Sequence, residues 1–246
     1  MQMTKLAAFI VTALIVLPSC SQKIAITPTI AEIESVGLTA LHGQDTASVQ
    51  QLLKWAEHGN SVAERELGLV YATVPQKQAE AAYWLEQGAK AGDNEAEFAF
   101  AEVLYKGRLS LKADPQRAWY WYELSANKGH AKASFMLARM AKYGEGVPKN
   151  LSLSVEWLQK ASDQGSAQAM FLLSNAYASG EGVGADQIKS HEWLERAAEA
   201  DYPVAIQALA MELDQGGQHH GDDALRSRHL IKEASDERLL RWNKYQ

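Results

Sequence analysis

The chain has a single cysteine in 246 residues, Cys20, and it stands near the N-terminus. No disulfide framework, zinc site or cysteine nucleophile can therefore be built in the rest of the chain. A basic block is missing as well. Lysine and arginine number 24 against 30 acidic residues, a formal net charge of −6, which excludes the usual footprint of a nucleic-acid surface and disfavours attraction to an anionic membrane. Phosphate-loop spacing is absent too. YGEGVPKN (143–150) and SGEGVGAD (179–186) each hold two glycines one residue apart, but neither fits G-x-x-x-x-G-K-[ST] or G-x-G-x-x-G. The run before the first, ASFMLARMAKY, is apolar at helical intervals without strand alternation, so its glycines close a helix. No nucleophile with a base, and no pair of carboxylates in a cleft, recurs along the chain, nor does S-x-x-K beside S-D-N and K-T-G. We expect no enzyme and no cofactor. Of the seven histidines only His219 and His220 are adjacent, in the polar, glycine-rich QGGQHHGDD, which reads as a solvated loop and not as a metal site.

What is present begins with the N-terminus. MQMTKLAAFIVTALIVLPSC combines Lys5, an apolar run from Leu6 to Leu17 and LPSC, the pattern of a secretory signal too short to span a membrane as a helix. Beyond it the chain is periodic. Gly144 and Gly180 lie 36 residues apart, and a fixed period of that size marks a repeat array. Small residues recur at Ala63, Ala96, Ala133, Ala169 and Ala205, with spacings of 33, 37, 36 and 36. Four residues on come Leu67, Phe100, Leu137, Leu173 and Leu209, each beside a small residue that lets a neighbouring helix approach. After each turn stand Trp84, Trp121, Trp157 and Trp193, then Ala89, Ala126, Ser162 and Ala198, then Gly92, Gly129, Gly165 and Asp201. Each unit reads as helix, turn, helix, turn, with the tryptophans in the inter-helix core.

These columns resemble the Sel1-like repeat, a relative of the tetratricopeptide repeat, with A-x-x-x-L-G-x-x-Y-x-x-G-x-G-V followed by K-A-x-x-W-x-x-K-A-A-x-x-G-x-x-x-A. The resemblance implies an all-α fold, a right-handed α-solenoid of antiparallel helix pairs whose concave surface meets partner proteins. It covers 32–235, about five clear units after a degenerate one, V36-G-L-T-A-L-H-G followed by A56-E-H-G-N-S-V-A63. LPSC resembles the bacterial lipoprotein signal. That implies a signal peptide over 1–19, acylation of Cys20, a short tether over 20–31 and a C-terminal tail over 236–246. The expected location is the cell envelope, lipid-anchored at the outer membrane and facing the periplasm.

Two clusters stand out as binding candidates. Counting the recurrent alanine of each first helix as position one, positions three, seven and ten share a helix face. Position three is Phe98, Phe135 and Phe171 in the middle units. Position seven includes Glu102 and Arg139, and position ten Tyr105 and Lys142. Variable columns beside constant ones suit a groove for a protein partner, though position three could instead pack into the next helix pair. The second cluster is Trp119 and Tyr120 with Tyr83 one unit earlier, an aromatic patch suited to a protein or a glycan, or to packing by the tail. The expected function is an envelope-anchored protein-binding scaffold. The alternatives are an accessory lipoprotein of polysaccharide export or cell-wall assembly and, remotely, a β-lactamase-like or other hydrolase.

Overall fold

The computed structural model describes residues 28–43, 45–215 and Lys232. The signal segment 1–19, Cys20, His219, His220 and the tail 236–246 lie outside the described residues. The described elements are helical: α1 (Ile30–Gly43), α2 (Thr46–Glu57), α3 (Ser61–Ala72), α4 (Gln78–Lys90), α5 (Asn94–Lys106), α6 (Pro115–Asn127), α7 (Ala131–Tyr143), α8 (Leu151–Asp163), α9 (Ala167–Ser179), α10 (Gln187–Glu199) and α11 (Pro203–Gln215), with one 3₁₀ turn at Pro75–Lys77. Each helix packs on the next along the chain, so the fold is an α-solenoid of helix pairs. The pairs α3/α4, α5/α6, α7/α8 and α9/α10 form units one to four. The pair α1/α2 precedes them where the degenerate unit was expected, and α11 opens a fifth.

Helix starts follow from side chains that accept orphan amides. Asp93, Asn150 and Ser166 each accept the backbone N–H three residues on, at 2.7, 3.0 and 3.3 Å. The ends of α5, α7 and α9 fall on Gly107, Gly144 and Gly180, all left-handed, with φ of 63, 78 and 75°. Across each glycine turn the backbone N–H that opens the second helix returns to the first. Asp114 donates to the Leu104 carbonyl at 2.8 Å, Asn150 to Ala141 at 2.8 Å and Asp186 to Tyr177 at 2.9 Å.

The second glycine of GEG has a further task. A Cβ on Gly182 would lie 2.4 Å from the Leu151 carbonyl oxygen, and one on Gly146 2.5 Å from the Pro115 carbonyl. The turn of one unit is thereby set directly against the start of the previous unit's second helix. Both GEGV segments are inter-helix turns. In unit two the same place is held by Leu109 at φ 54°.

The recurrent apolar column forms the core, with Leu67, Phe100, Leu137 and Leu173 no more than 1% exposed. Gly68 shows why a small neighbour is needed, since a Cβ there would lie 2.7 Å from Leu85 Cγ. The tryptophan column is less uniform than its spacing suggests. Trp193 is buried, whereas Trp84, Trp121 and Trp157 are half-buried at the edge of the core.

Candidate functional site

Position three sits at the joints between units. The Phe98 ring stacks on His130 with centroids 4.3 Å apart and planes at 21°. His130 is the residue that caps α7, accepting the Ala133 amide at 3.2 Å. Phe171 lies 5.5 Å from the Tyr202 ring, in the corresponding place before α11. Phe135 is half-buried against the cluster that contains Leu158, Leu173 and Trp193. Each of these rings therefore spends part of its surface on neighbouring helices.

Unit one solves the same joint with charge. Arg65, also at position three, is buried, and its guanidinium donates to both carboxylate oxygens of Asp93 at 3.1 and 3.3 Å, to Glu34 at 2.7 Å and to Glu66 at 3.0 Å. Asp93 is at once the cap of α5. Burial opposes the Arg65 charge, but Asp93, Glu66 and Glu34 outweigh it and raise the pKa. Burial also raises Glu66 above the ordinary carboxylate value, with Arg65 pulling the other way. Periodicity gave no hint of this cluster, because no other unit repeats it.

Positions seven and ten meet around Tyr122, which is fully buried. Its hydroxyl donates to Glu102 at 2.5 Å, and Lys106 also donates to Glu102. Phe98 and Tyr105 flank the Tyr122 ring at 5.8 and 6.4 Å, so Phe98, Glu102 and Tyr105 are drawn into one cluster. Burial, reinforced by the Glu102 carboxylate, pushes the Tyr122 hydroxyl pKa up. Tyr105 in turn donates to Glu145 at 2.5 Å, and one unit later Lys142 donates to Glu181 at 2.8 Å. The glutamate of each GEGV turn thus receives the position-ten side chain of the preceding unit. Pairing position ten with the turn glutamate at a spacing of 39 or 40 residues would have found this staple in the sequence.

Arg139 is exposed and forms no ion pair among the described residues, its guanidinium donating only to Met136 Sδ at 3.7 Å. It stands with Lys142 and Asn175 on the rim of a cavity of about 160 Å³ between α7, α8 and α9. Leu151, Val155, Leu158 and Leu172 contribute apolar wall. Position seven of two successive units therefore borders one groove.

The second aromatic cluster divides. Tyr83 and Tyr120 are 52% and 54% exposed and meet Trp84 and Trp121 edge-on at 5.0 and 5.2 Å. Trp119 is half-buried and turns its ring onto Trp157 at 6.3 Å. Among the described residues no cluster of three or more histidines, cysteines and acids could hold a metal, and no helix is long and apolar enough to cross a membrane.

Four consecutive stretches, 61–93, 94–130, 131–166 and 167–202, match the family model described as Sel1 repeat. A protective antigen of uropathogenic Escherichia coli displaying an SLR fold superposes with a TM-score of 0.73 at 24% identity, over 85% of this chain and 46% of that one. The chain spans less than half of that protein's length. A Sel1 repeat protein from Oxalobacter formigenes superposes with a TM-score of 0.72 at 24% identity, over 88% of this chain and 91% of that one. At this identity the likeness concerns the fold. No curated protein matches the chain.

Proposed function

The chain belongs to the Sel1 repeat family, and from that premise we propose that it is an envelope-anchored scaffold that binds another protein through the concave face of its solenoid. The observation that carries the reading is the groove between α7, α8 and α9, where an apolar wall lies beside Arg139. Repeat units supply a rigid wall, and specificity then rests on the few side chains that differ between units. Phe135, which packs on the cluster that includes the groove residue Leu158, and its column mates Phe98 and Phe171 are the apolar anchors of the reading. Anchoring rests on LPSC at Cys20; two acyl chains hold a membrane where one binds only marginally.

The test pairs thermal melting with capture of partner from envelope extract. Phe135→Ala is expected to weaken capture roughly 30-fold, the cost of a lost aromatic anchor, with a smaller relative loss of stability. Arg139→Glu is expected to remove the salt dependence of the remaining capture. Normal capture by a strongly destabilised Phe135→Ala variant would assign position three to the core alone. In the same fractions Cys20→Ser should leave the membrane or remain an unprocessed precursor, and a wild-type chain without acyl mass would remove the anchor from the reading.

A second reading, an accessory of polysaccharide export or cell-wall assembly, draws on the half-exposed rings of Tyr83 and Tyr120. Sugar rings stack on such faces. Binding to purified envelope polysaccharide that survives Tyr83→Ala and Tyr120→Ala together would count against it.

A further inference from the structure

We infer that the groove between α7, α8 and α9 takes a partner segment carrying one bulky apolar side chain next to an acidic residue, the apolar group entering the cavity and the carboxylate pairing with Arg139. The inference rests on the scaffold reading and adds the chemistry of what the scaffold holds.

Three observations lead to it. The first is size. An apolar void of about 150 Å³ is large enough to admit benzene, and this cavity is about 160 Å³. A phenyl or branched aliphatic group therefore fits, and a second residue of the same segment must stay outside.

The second is charge. The chain is acidic overall, at −6, and the cations near the groove are unequally engaged. Lys142 is paired with Glu181 at 2.8 Å. Arg139 donates only to the Met136 sulfur and lies within electrostatic reach of the Tyr105 and Tyr122 hydroxyls, with no carboxylate paired to it among the described residues. A guanidinium presents a planar fork that a carboxylate can meet with two parallel hydrogen bonds, which a thioether cannot do. The open valence on the rim is thus for an anion.

The third is geometry. Leu151 and Val155 come from α8, Leu172 and Asn175 from α9, and Arg139 from α7. The pocket exists only where two units meet. In the preceding joint the corresponding rim residue, Glu102, is occupied by Tyr122 and Lys106. Unit two cannot offer the same anion site.

The experiment uses the full chain with labelled leucine and valine methyl groups and three probes of one shape: 3-phenylpropionate, 3-phenylpropanamide and 3-phenylpropylamine. The expected result is that methyl signals of Leu151, Val155, Leu158 and Leu172 shift, with the carboxylate binding about tenfold tighter than the amine. Arg139→Gln should level the three probes without abolishing the amide's shifts. Val155→Trp, which fills the cavity, should abolish all of them while the chain still melts cooperatively. Equal affinity for amine and carboxylate, or no methyl shift up to the solubility of the probes, overturns the inference. So does a groove already filled. If deleting 236–246 moves the same methyl signals without probe, the chain's own tail is the occupant, and if raising protein concentration moves them, a second copy is. When the probes fail but capture from envelope extract still depends on Phe135, the scaffold reading stands and this groove is not its contact.

Discussion

The joint between units one and two and the joint between units two and three occupy the same place in the repeat and are made of different matter. At the first, position three is Arg65, tied to the α5 cap Asp93. At the second it is Phe98, stacked on the α7 cap His130. Position two differs as well. Glu97 is paired with Lys128 at 2.6 Å, and that lysine also donates to the Gly92 carbonyl at 2.9 Å. Glu64 has Ala91 where that lysine would stand and forms no ion pair among the described residues; each of the two glutamates keeps one carboxylate oxygen buried without a partner. The repeat fixes where a contact must be made, and leaves open whether charge, aromatic surface or nothing makes it.

From that contrast the largest effect belongs to Arg65. Removing one partner of a buried ion cluster leaves the others uncompensated, so Arg65→Ala is expected to cost about 3–5 kcal/mol. Hydrogen exchange should place the loss in α1, α3 and α5, and an unchanged denaturation midpoint would show that the cluster is solvated. Phe98→Ala, a half-buried ring with one stacking partner, is expected to cost about 2 kcal/mol, less than a fully buried phenylalanine. A loss equal to that of Arg65→Ala would erase the distinction between the two joints.

The smallest effect sharpens the comparison at position two. Ala91→Lys imports the Glu97–Lys128 pair into the first joint, and about 1 kcal/mol of added stability is expected at neutral pH. The pH dependence has a definite sign. Burial raises Glu64 above the ordinary 4.5, so its carboxyl takes up a proton in the folded chain before it does in the unfolded one. Wild type therefore carries a penalty at neutral pH that fades as pH falls through the raised value toward 4.5. The advantage of Ala91→Lys should fade over that same interval. An advantage constant with pH would mean the lysine acts elsewhere.

The periodic part of the structure was legible because it is repeated. Recurrent alanine and leucine columns gave the helices, and the glycines gave the turns, down to the left-handed ends at Gly144 and Gly180. Column constancy did not reveal how deeply Trp84, Trp121 and Trp157 would sit, since a ring at the edge of a core and one inside it recur alike. Of the candidate groove, Arg139 and Lys142 share a helix face by their spacing and do border one cavity. Glu102 and Tyr105 are instead engaged with Tyr122 and Glu145. The Arg65 cluster stayed hidden for the opposite reason. Its members, Glu34, Glu66 and Asp93, come from three helices and occur once, so no period announces them.

The contact at Gly182 fixes one edge of the groove. There the turn of unit four meets the Leu151 carbonyl backbone to backbone, with no side chain that could swing aside. Leu151 and Glu181 both border the cavity. Bending that presses the start of α8 toward the turn meets backbone at once. At this edge the groove has little room to narrow around a ligand, and retention there rests on what the ligand touches at the resting width.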